Sequence, residues 1–170
     1  GKIAGEVVDL GGQWVGPSQT RLLALAKEYG VATYPQFVTG RNIADLAGHR
    51  AEYEGEVPAL DPAAMAEFGE VVDKLEALAA SLPVPRPWQS PAAAALDEQT
   101  IETWIQANAA TAAVRSALRM IVRAVLSAEA SQVSMLCFGA YAAAAGGFSP
   151  LISTHGGAQD SLFEGGVWQL

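Results

Sequence analysis

Apolar and polar positions at the start of the chain follow first a strand-like spacing and then a helical one. Residues 5–10 are rich in β-branched side chains and stop at two glycines, which predicts a buried strand running into a turn. The next segment has helical spacing, and we expect Ser18 to cap this helix and Gly30 to end it. A strand over residues 31–34 is predicted to follow. The apolar face of the predicted helix consists of Leu22, Leu25, Ala26 and Tyr29.

A hairpin and a long helix are predicted for the middle of the chain. Residues 41–53 alternate around an Ala-Gly turn at 47–48, which is typical of two antiparallel strands. Asp61 and Pro62 form a strong helix start, because aspartate caps free N–H groups and proline fits the first helical position. We expect this helix to end near Ser81, before a proline-rich connector. Its apolar stripe comprises Met65, Phe68, Val72, Leu75 and Leu82.

Three further helices are predicted in the second half, so the fold class is α+β, mainly helical with a few strands. Thr100 is expected to cap the first of them. The second combines an apolar face with three arginines at steps of four. Ser131 is expected to begin the third, which is apolar all round, is therefore predicted to be buried all round, and ends at Gly146. The face of the first comprises Ile101, Trp104 and Ile105, that of the second Val114, Leu118, Ile121 and Val125, and the arginines are Arg115, Arg119 and Arg123.

Charge and cysteine content exclude several classes of protein. The chain carries 10 Lys and Arg against 18 Asp and Glu, for a formal net charge of -8. It therefore lacks the cationic excess with which proteins neutralise nucleic-acid phosphates, and no nucleic-acid partner is expected. The single cysteine, Cys137, allows no internal disulfide, and we expect it to be an inert core thiol because its helix is uncharged. Nothing in the sequence indicates export, and we expect a cytoplasmic protein.

The apolar content is high for so few charges: 51% of the residues are hydrophobic and 16% are charged. Two explanations remain open, namely an alanine-rich helical domain or part of a larger protein whose other parts cover its apolar faces. The uncharged stretch 130–154 is long enough to cross a bilayer. Polar residues, glycines and a proline interrupt it, and no cationic flank marks either end, so a buried helix is predicted instead.

The first stretch that indicates chemistry is GGQWVGPSQ, at residues 11–19. Here a predicted strand ends, glycines allow a ligand to approach the backbone, and a helix N-terminus offers free N–H groups. This combination suits a flat or phosphorylated cofactor. The alternative is an ordinary strand–glycine–helix turn, since the spacing is not the G-x-G-x-x-G fingerprint of dinucleotide-binding proteins.

The second stretch, residues 152–166, contains two Gly-Gly pairs around a small polar cluster, which indicates close backbone packing or a ligand wall. Ser153, His155 and Asp160 are the residue types of a nucleophilic triad, but no G-x-S-x-G elbow occurs and no triad is predicted. His49 and His155 are the only histidines and lack metal-ligand spacing, so no metal is expected. The arginine row binds an anion or a partner subunit, lies on a solvated helix face, or pairs with nearby acids.

Taken together, these stretches resemble the flavin-containing monoamine oxidase family. Residues 8–19, VDLGGQWVGPSQ, resemble the turn with which that family contacts its flavin. Residues 127–134, SAEASQVS, resemble a helix–helix corner of the family. Residues 145–166, with LISTHGGAQD at their centre, resemble its substrate-cavity segment. The three segments occur in the family's order and at similar spacing.

The resemblance implies an oxidoreductase with FAD as its cofactor. Such an enzyme oxidises an amine to an imine, which hydrolyses to the aldehyde, while dioxygen is reduced to hydrogen peroxide. The implied partners are a small amine and dioxygen, with a homodimer possible and no metal expected. An apolar pocket suits this chemistry, because it lowers the pKa of a bound ammonium and favours the neutral amine.

Site residues are carried over from the family to matching positions of this chain. Four are expected to approach FAD, and five are expected to form the substrate site. In that site Ile152 is the implied gate, Gln159 lies beside the flavin face, and Trp88 lies near the entrance. No catalytic residue is expected within this chain. The cofactor set is Gly11, Gly12, Gln13 and Trp14, and the substrate set is Trp88, Ala124, Val125, Ile152 and Gln159.

The resemblance also implies a domain organisation. Residues 1–30 would be part of a Rossmann-like FAD-binding domain, residues 31–158 the mainly helical substrate-binding domain, and residues 159–170 the start of a return to the FAD-binding domain. The dinucleotide fingerprint and the C-terminal catalytic segment of the family do not occur in the sequence, so we expect a central fragment that is inactive alone. The alternative is a helical interaction module that self-associates through its apolar surface.

Overall fold

The computed structural model describes residues 2–46, 49–56 and 60–170. The chain is divided into two compact units, Gly1–Thr39 with Ile152–Leu170, and Gly40–Leu151. The helices are α1 Thr20–Glu28, α2 Pro62–Ser81, α3 Ala93–Asp97, α4 Ile101–Asn108, α5 Ala112–Leu126, α6 Met135–Ala145 and α7 Phe148–Ile152. The strands are β1 Lys2–Ile3, β2 Glu6–Val7, β3 Trp14–Val15, β4 Thr33–Pro35, β5 Asn42–Leu46, β6 His49–Tyr53 and β7 Ser161–Phe163. The α+β fold class predicted from the sequence is confirmed.

A three-stranded antiparallel sheet organises the first unit. β7 lies in the middle, with β3 on one side and β4 on the other, so a strand near the end of the chain joins two strands from its start. Val15, Ala26 and Phe163 form the buried centre of this unit, with Leu22 and Leu23 packed against it. The helix α1 thus covers the sheet through its Leu22–Ala26 side.

Three details predicted for the first unit are wrong. Residues 5–10 are not a buried strand: β2 pairs only with β1 in a two-stranded hairpin, and Leu10 is 87% exposed. The helix α1 begins after Gln19 rather than Ser18, and the Gln19 side chain accepts a hydrogen bond from the N–H of Gly16 at 2.7 Å. Gly30 does follow the helix end, with a left-handed φ of +68°, but Tyr29 beside it is exposed.

The hairpin and the long helix predicted for the middle of the chain are confirmed. β5 and β6 are antiparallel with Asn42 opposite Tyr53 and Leu46 opposite His49, while the predicted 47–48 turn lies outside the described residues. The Asp61 carboxylate accepts hydrogen bonds from two backbone N–H groups at 3.0 and 3.1 Å, and α2 ends at Ser81. The buried face of α2 differs from the predicted stripe, since it comprises Ala64, Phe68, Val71, Leu75 and Ala79.

The buried face of α2 differs from the predicted stripe because Ala64 and Val71, rather than Met65 and Val72, face the neighbouring helices. Met65 is 40% exposed, and Val72 is half-buried. Where α2 meets α6, an added Cβ at Gly139 would lie 2.9 Å from a methyl carbon of Leu82. Gly139 therefore lets α6 approach the leucines at the end of α2, a contact that a count of large apolar residues does not detect.

The caps predicted for the later helices are confirmed for α4 only. Thr100 accepts a hydrogen bond from the N–H of Thr103, as expected. The helix α6 begins after Ser134 rather than at Ser131, because the Ser134 hydroxyl accepts from the N–H of Cys137 at 3.2 Å. The buried face of α5 comprises Val114, Ala117, Leu118 and Val122.

The helix α6 is not buried all round, so that prediction is wrong. Met135, Phe138 and Ala142 face inward, whereas Cys137 and Tyr141 share an exposed face. The interpretation of Cys137 as a core thiol is therefore also wrong. In the part of the chain that the structure describes, no helix combines the length and apolarity needed to cross a membrane.

Two arginines of the α5 row, Arg119 and Arg123, pair with nearby acids, which was one of the alternatives. Arg119 donates two hydrogen bonds to the Glu102 carboxylate, at 2.8 and 2.6 Å. Arg123 donates to Glu129, and Arg115 donates to backbone carbonyls at the α4–α5 connection. The row therefore ties α5 to its neighbouring segments.

The Glu102–Arg119 ion pair makes the free energy of unfolding depend on pH in the acidic range. The hydrogen bond from Arg119 lowers the pKa of Glu102 to about 2 from 4.5. The unfolded chain thus takes up this proton at higher pH than the folded chain does. The stabilisation is complete above about pH 4.5 and is lost as pH falls towards 2. Glu102→Gln should remove on the order of 1 kcal/mol of this pH-dependent stability, after allowance for solvent screening.

Urea titrations at a series of pH values check this expectation. The matched control is Glu70→Gln on the exposed side of α2. An identical dependence of the unfolding free energy on pH in the Glu102→Gln variant and the unmodified chain would contradict the assignment.

Candidate functional site

An open cleft of about 470 Å³ lies in the first unit, beside the glycine-rich stretch that the sequence singled out. Its wall mixes backbone of glycines with apolar and polar side chains. Among the described residues, no lysine or arginine belongs to the lining. The lining residues are Gly5, Val7, Val8, Asp9, Gln13, Tyr34, Leu162, Phe163, Gly165 and Gly166.

The four residues predicted to approach FAD lie at or next to this cleft. Gln13 lines it, and Gly11 and Gly12 precede Gln13 directly. Both glycines are exposed, and an added Cβ would meet nothing within 4 Å in this unit. A flat ligand can thus approach this backbone closely. This open, glycine-bordered surface fits part of a flavin cofactor.

Trp14 is held in place by hydrogen bonds on two sides. Its backbone is in β3, opposite Leu162 of β7. Its indole N–H donates to the side-chain carbonyl of Gln36 at 2.9 Å, and the backbone N–H of Gln36 donates to the carbonyl of Asp160 at 2.8 Å. The ring is nevertheless 40% exposed. The structure therefore presents a fixed indole with an accessible surface next to Gln13.

Asp9 is a cleft residue that sequence reasoning missed. Its carboxylate accepts hydrogen bonds from the backbone N–H of Val167 at 3.1 and 3.2 Å, across 158 positions of sequence. A Cβ added to Gly166 would lie 2.9 Å from Asp9 Oδ1 and 2.8 Å from a Val7 methyl carbon. Asp9 thus ties the Gly165–Gly166 corner to the end of β2. A carboxylate directly before the LGG turn was the available signal.

Gly16 and Gly157 join the two glycine-rich stretches. A Cβ on Gly16 would collide with the carbonyl oxygen of Gly157 and lie 3.0 Å from the Cα of Ala158. Both glycines are buried. The backbones of the two stretches are therefore in direct contact, which explains why the sequence is rich in glycine at both places.

The predicted substrate residues Ile152 and Gln159 flank a tight turn in the same unit as Gly11–Trp14. The N–H of Gln159 donates to the carbonyl of Ser153 at 3.4 Å. The Asp160 carboxylate accepts from the N–H of Gly156 and from the Ser161 hydroxyl, both at 2.8 Å. The hydrogen bond from Gly156 is the main cause that lowers the pKa of Asp160. Asp160 therefore organises this turn.

The other three predicted substrate residues belong to the second unit. Trp88 lies in a 3-10 helix over Pro87–Gln89 and is 66% exposed. Ala124 is exposed near the end of α5, and Val125 next to it is half-buried. The structure thus gathers Gly11, Gly12, Gln13, Trp14, Ile152 and Gln159 in one unit, and Trp88, Ala124 and Val125 in the other.

The helices of the second unit are tightly packed. An apolar void between α2, α4, α5 and α6, bordered by Trp104, Leu118 and Phe148 among others, has a volume of about 10 Å³. That is room for one water at most. Within residues 2–46, 49–56 and 60–170, no group of three or more His, Cys, Asp or Glu side chains is placed to hold a metal ion.

Two curated relatives match this chain along almost its whole length. The Mycobacterium tuberculosis protein AofH, whose name assigns it provisionally to the flavin-containing monoamine oxidases, is 34% identical over 170 residues, which are 100% of this chain and 37% of that protein. Amine oxidase (flavin-containing) B of Homo sapiens is 31% identical over 164 residues, which are 96% of this chain and 32% of that protein. The chain therefore spans about a third of the length of these relatives.

Solved structures of two proteins superimpose closely on this chain. Wild-type putrescine oxidase bound to putrescine superimposes with a TM-score of 0.89 at 29% identity, over 99% of this chain and 38% of that one. Cyclohexylamine oxidase from Brevibacterium oxydans gives a TM-score of 0.84 at 30% identity, over 95% and 37%. The family model described as flavin containing amine oxidoreductase matches residues 1–170. The resemblance predicted from the sequence is confirmed, and the chain belongs to the flavin containing amine oxidoreductase family.

Proposed function

We propose that this chain forms the central part of an FAD-dependent amine oxidase, including most of its substrate-binding domain. The enzyme would convert a primary amine to an imine, which water hydrolyses to an aldehyde and ammonia. The two electrons and two protons removed from the amine end in hydrogen peroxide, formed from dioxygen. The observation that carries this proposal is the family match along all 170 residues, supported by superposition on two solved amine oxidases.

The part of the chain that would contact FAD is the Gly11–Trp14 turn. Gly11 and Gly12 would let the cofactor lie against the backbone, and Gln13 would offer its side-chain amide. Trp14, fixed by Gln36, would border it with an aromatic surface. Bound FAD would supply the two-electron acceptor that amine oxidation needs.

The substrate side of the proposal rests on Trp88, Ala124, Val125, Ile152 and Gln159. These side chains are apolar except for the Gln159 amide. Apolar surroundings disfavour a bound ammonium ion and favour the neutral amine, whose nitrogen lone pair assists removal of hydrogen from the neighbouring carbon. The chain itself contributes positioning and exclusion of water in this proposal, and no acid or base of its own.

The chain taken alone should neither retain FAD nor oxidise amines. Its cleft is open, and the chain spans only about a third of the length of its relatives. The test is expression of the complete protein that contains this chain, followed by flavin absorbance and by peroxide release from a panel of primary amines. A flavin-loaded protein that releases no peroxide with any amine or amino acid would overturn the proposal.

Gly12→Leu should weaken FAD retention in that complete protein by about tenfold, the effect of one lost contact of about 1.4 kcal/mol. The new side chain has free space in the first unit, so it should obstruct only a ligand that lies against the turn. Gly69→Leu is the matched control, because its Cβ also meets nothing within 4 Å and it lies on the exposed side of α2. Equal flavin dissociation constants in the two variants would show that the Gly11–Trp14 turn is not part of the cofactor site.

The exposed apolar side chains support a second candidate, a helical module that self-associates. Phe37 is 77% exposed, Trp168 67% and Trp88 66%, and self-association would cover such side chains. Sedimentation of the 170-residue chain distinguishes the two proposals. A dimer that persists at micromolar concentration would favour the interaction module, and a monomer would count against it.

A further inference from the structure

The carboxylate of Glu76, close to the C-terminal end of α2, is hydrogen-bonded to the first residues of α7. Its Oε2 accepts from the N–H of Phe148 at 3.0 Å, and its Oε1 accepts from the N–H of Ser149 at 2.6 Å. The helix α7 has only five residues, far fewer than a helix needs for stability of its own. Its first N–H groups have no partner inside the helix. Glu76 therefore supplies the partners that start α7.

The carboxylate of Glu76 lies so close to the backbone at position 147 that this position requires a glycine. Gly147 has a left-handed φ of +140°, and an added Cβ there would lie 2.6 Å from Glu76 Oε2 and 3.2 Å from the ring of Pro150. Gly147 is also buried. The chain thus turns around the carboxylate immediately before α7 begins.

Glu76 is ionised when it binds the start of α7. Partial burial raises the pKa of Glu76, but the hydrogen bonds from Ser149 and Phe148 outweigh burial and hold that pKa below its usual value. Negative charge at a helix N-terminus is favourable, because the aligned peptide dipoles leave positive charge at that end. Charge-assisted hydrogen bonds are also stronger than neutral ones.

The rest of α7 is anchored by packing. Phe148 is fully buried, and its ring meets that of Phe138 edge-on, with centroids 6.0 Å apart. Leu151 is 5% exposed. The last residue of α7 is Ile152, which is half-buried. A short helix held at its start by Glu76 and along its side by Phe148 carries Ile152 at its far end, so the position of Ile152 follows from the position of the first turn.

We propose that Glu76 is a positioning residue that, through α7, sets the place of Ile152 and with it the width of amine that the site accepts. This rests on the proposed function, in which Ile152 borders the amine. Glu76 acts through the backbone of α7 and not by contact with the amine. The acidic side chain on α2 thereby becomes a determinant of substrate selectivity.

The test uses the complete flavin-loaded protein and a slim and a wide substrate, n-butylamine and benzylamine. Glu76→Gln places an amide N–H₂ against one of the two backbone donors, so α7 should loosen and Ile152 should shift. The ratio of kcat/KM for the two amines should change by about tenfold, the lower end of the effect of one misfitting methylene in an apolar pocket. Glu70→Gln, on the exposed side of the same helix, should leave the ratio unchanged.

A double-mutant cycle with Ile152→Ala separates positioning from general stability. If Glu76 acts through Ile152, Glu76→Gln should have no further effect on the ratio once Ile152 is alanine. Amide hydrogen exchange at residues 148 and 149 should be faster in Glu76→Gln than in Glu70→Gln. Glu76→Asp, which keeps the charge but is one methylene too short to reach both donors, should change ratio and exchange in the same direction.

Each other outcome decides against the proposal. Additive effects of Glu76→Gln and Ile152→Ala would show that Glu76 does not act through Ile152, while Ile152 remains part of the substrate site. An unchanged ratio in Ile152→Ala alone would overturn the proposed substrate role of Ile152 and this inference with it. Loss of folded, flavin-bound protein in both Glu76 variants would assign Glu76 to overall stability and not to selectivity.

Discussion

Replacing Phe148 by alanine is expected to destabilise the second unit by about 4 kcal/mol, the usual cost of deleting a buried phenyl ring. Phe148 is fully buried, and it lies edge-on to Phe138. The change removes both the buried apolar area and the ring contact, and it leaves a cavity that the surrounding helices fill only partly. Urea titration followed by hydrogen exchange in residues 40–151 measures this loss.

Phe37→Ala is the chemically matched control for that experiment. Phe37 is 77% exposed, so its ring contributes little to burial. Its removal should change the unfolding free energy by less than about 0.5 kcal/mol. Similar losses in the two variants would mean that Phe148 is not the centre of the helical core.

Gly16→Ala is expected to cost the first unit about 3 kcal/mol, at the upper end of the cost of overpacking. The new methyl group would collide with the carbonyl oxygen of Gly157 and touch the Cα of Ala158. Both contacts are with backbone, which cannot rotate away as a side chain does. The two glycine-rich stretches would have to separate, and the pairing of β3 with β7 would be disturbed.

Gly12→Ala distinguishes this contact from a general effect of glycine replacement. Gly12 lies four positions earlier in the same stretch, and its Cβ would meet nothing within 4 Å. Hydrogen exchange of the β3 and β7 amides should accelerate in Gly16→Ala and remain unchanged in Gly12→Ala. Unchanged protection of β7 in Gly16→Ala would contradict the close approach of Gly16 to Gly157.

Features that depend on neighbouring residues were predicted well from the sequence. Asp61 and Thr100 cap α2 and α4 as expected, because a short polar side chain satisfies N–H groups only two or three residues away. Gly30 follows the end of α1 because the left-handed backbone there suits glycine. The hairpin of β5 and β6 follows from alternation around a predicted turn. The family resemblance rests on ordered sequence segments and is confirmed as well.

Failures arose where packing decides which side of an element is buried. Met65 and Val72 were expected inside α2, but Ala64 and Val71 face the core. Cys137 was expected inside α6 and is exposed. A helix of small and apolar residues offers several faces of nearly equal apolarity, and only the neighbouring helices determine which one is covered.

The sequence by itself determined the starts of α2 and α4, the hairpin, the α+β class and the family, because each depends on local hydrogen bonding, on periodicity or on ordered motifs. Only the tertiary structure decided the contacts that shape the candidate site. Glu76 meets Phe148 across 72 positions, and Asp9 meets Val167 across 158. Gly16 likewise meets Gly157 from the opposite end of the chain. Such pairs leave no periodic trace in the sequence, since backbone groups are the partners and their positions depend on the folding of everything between them.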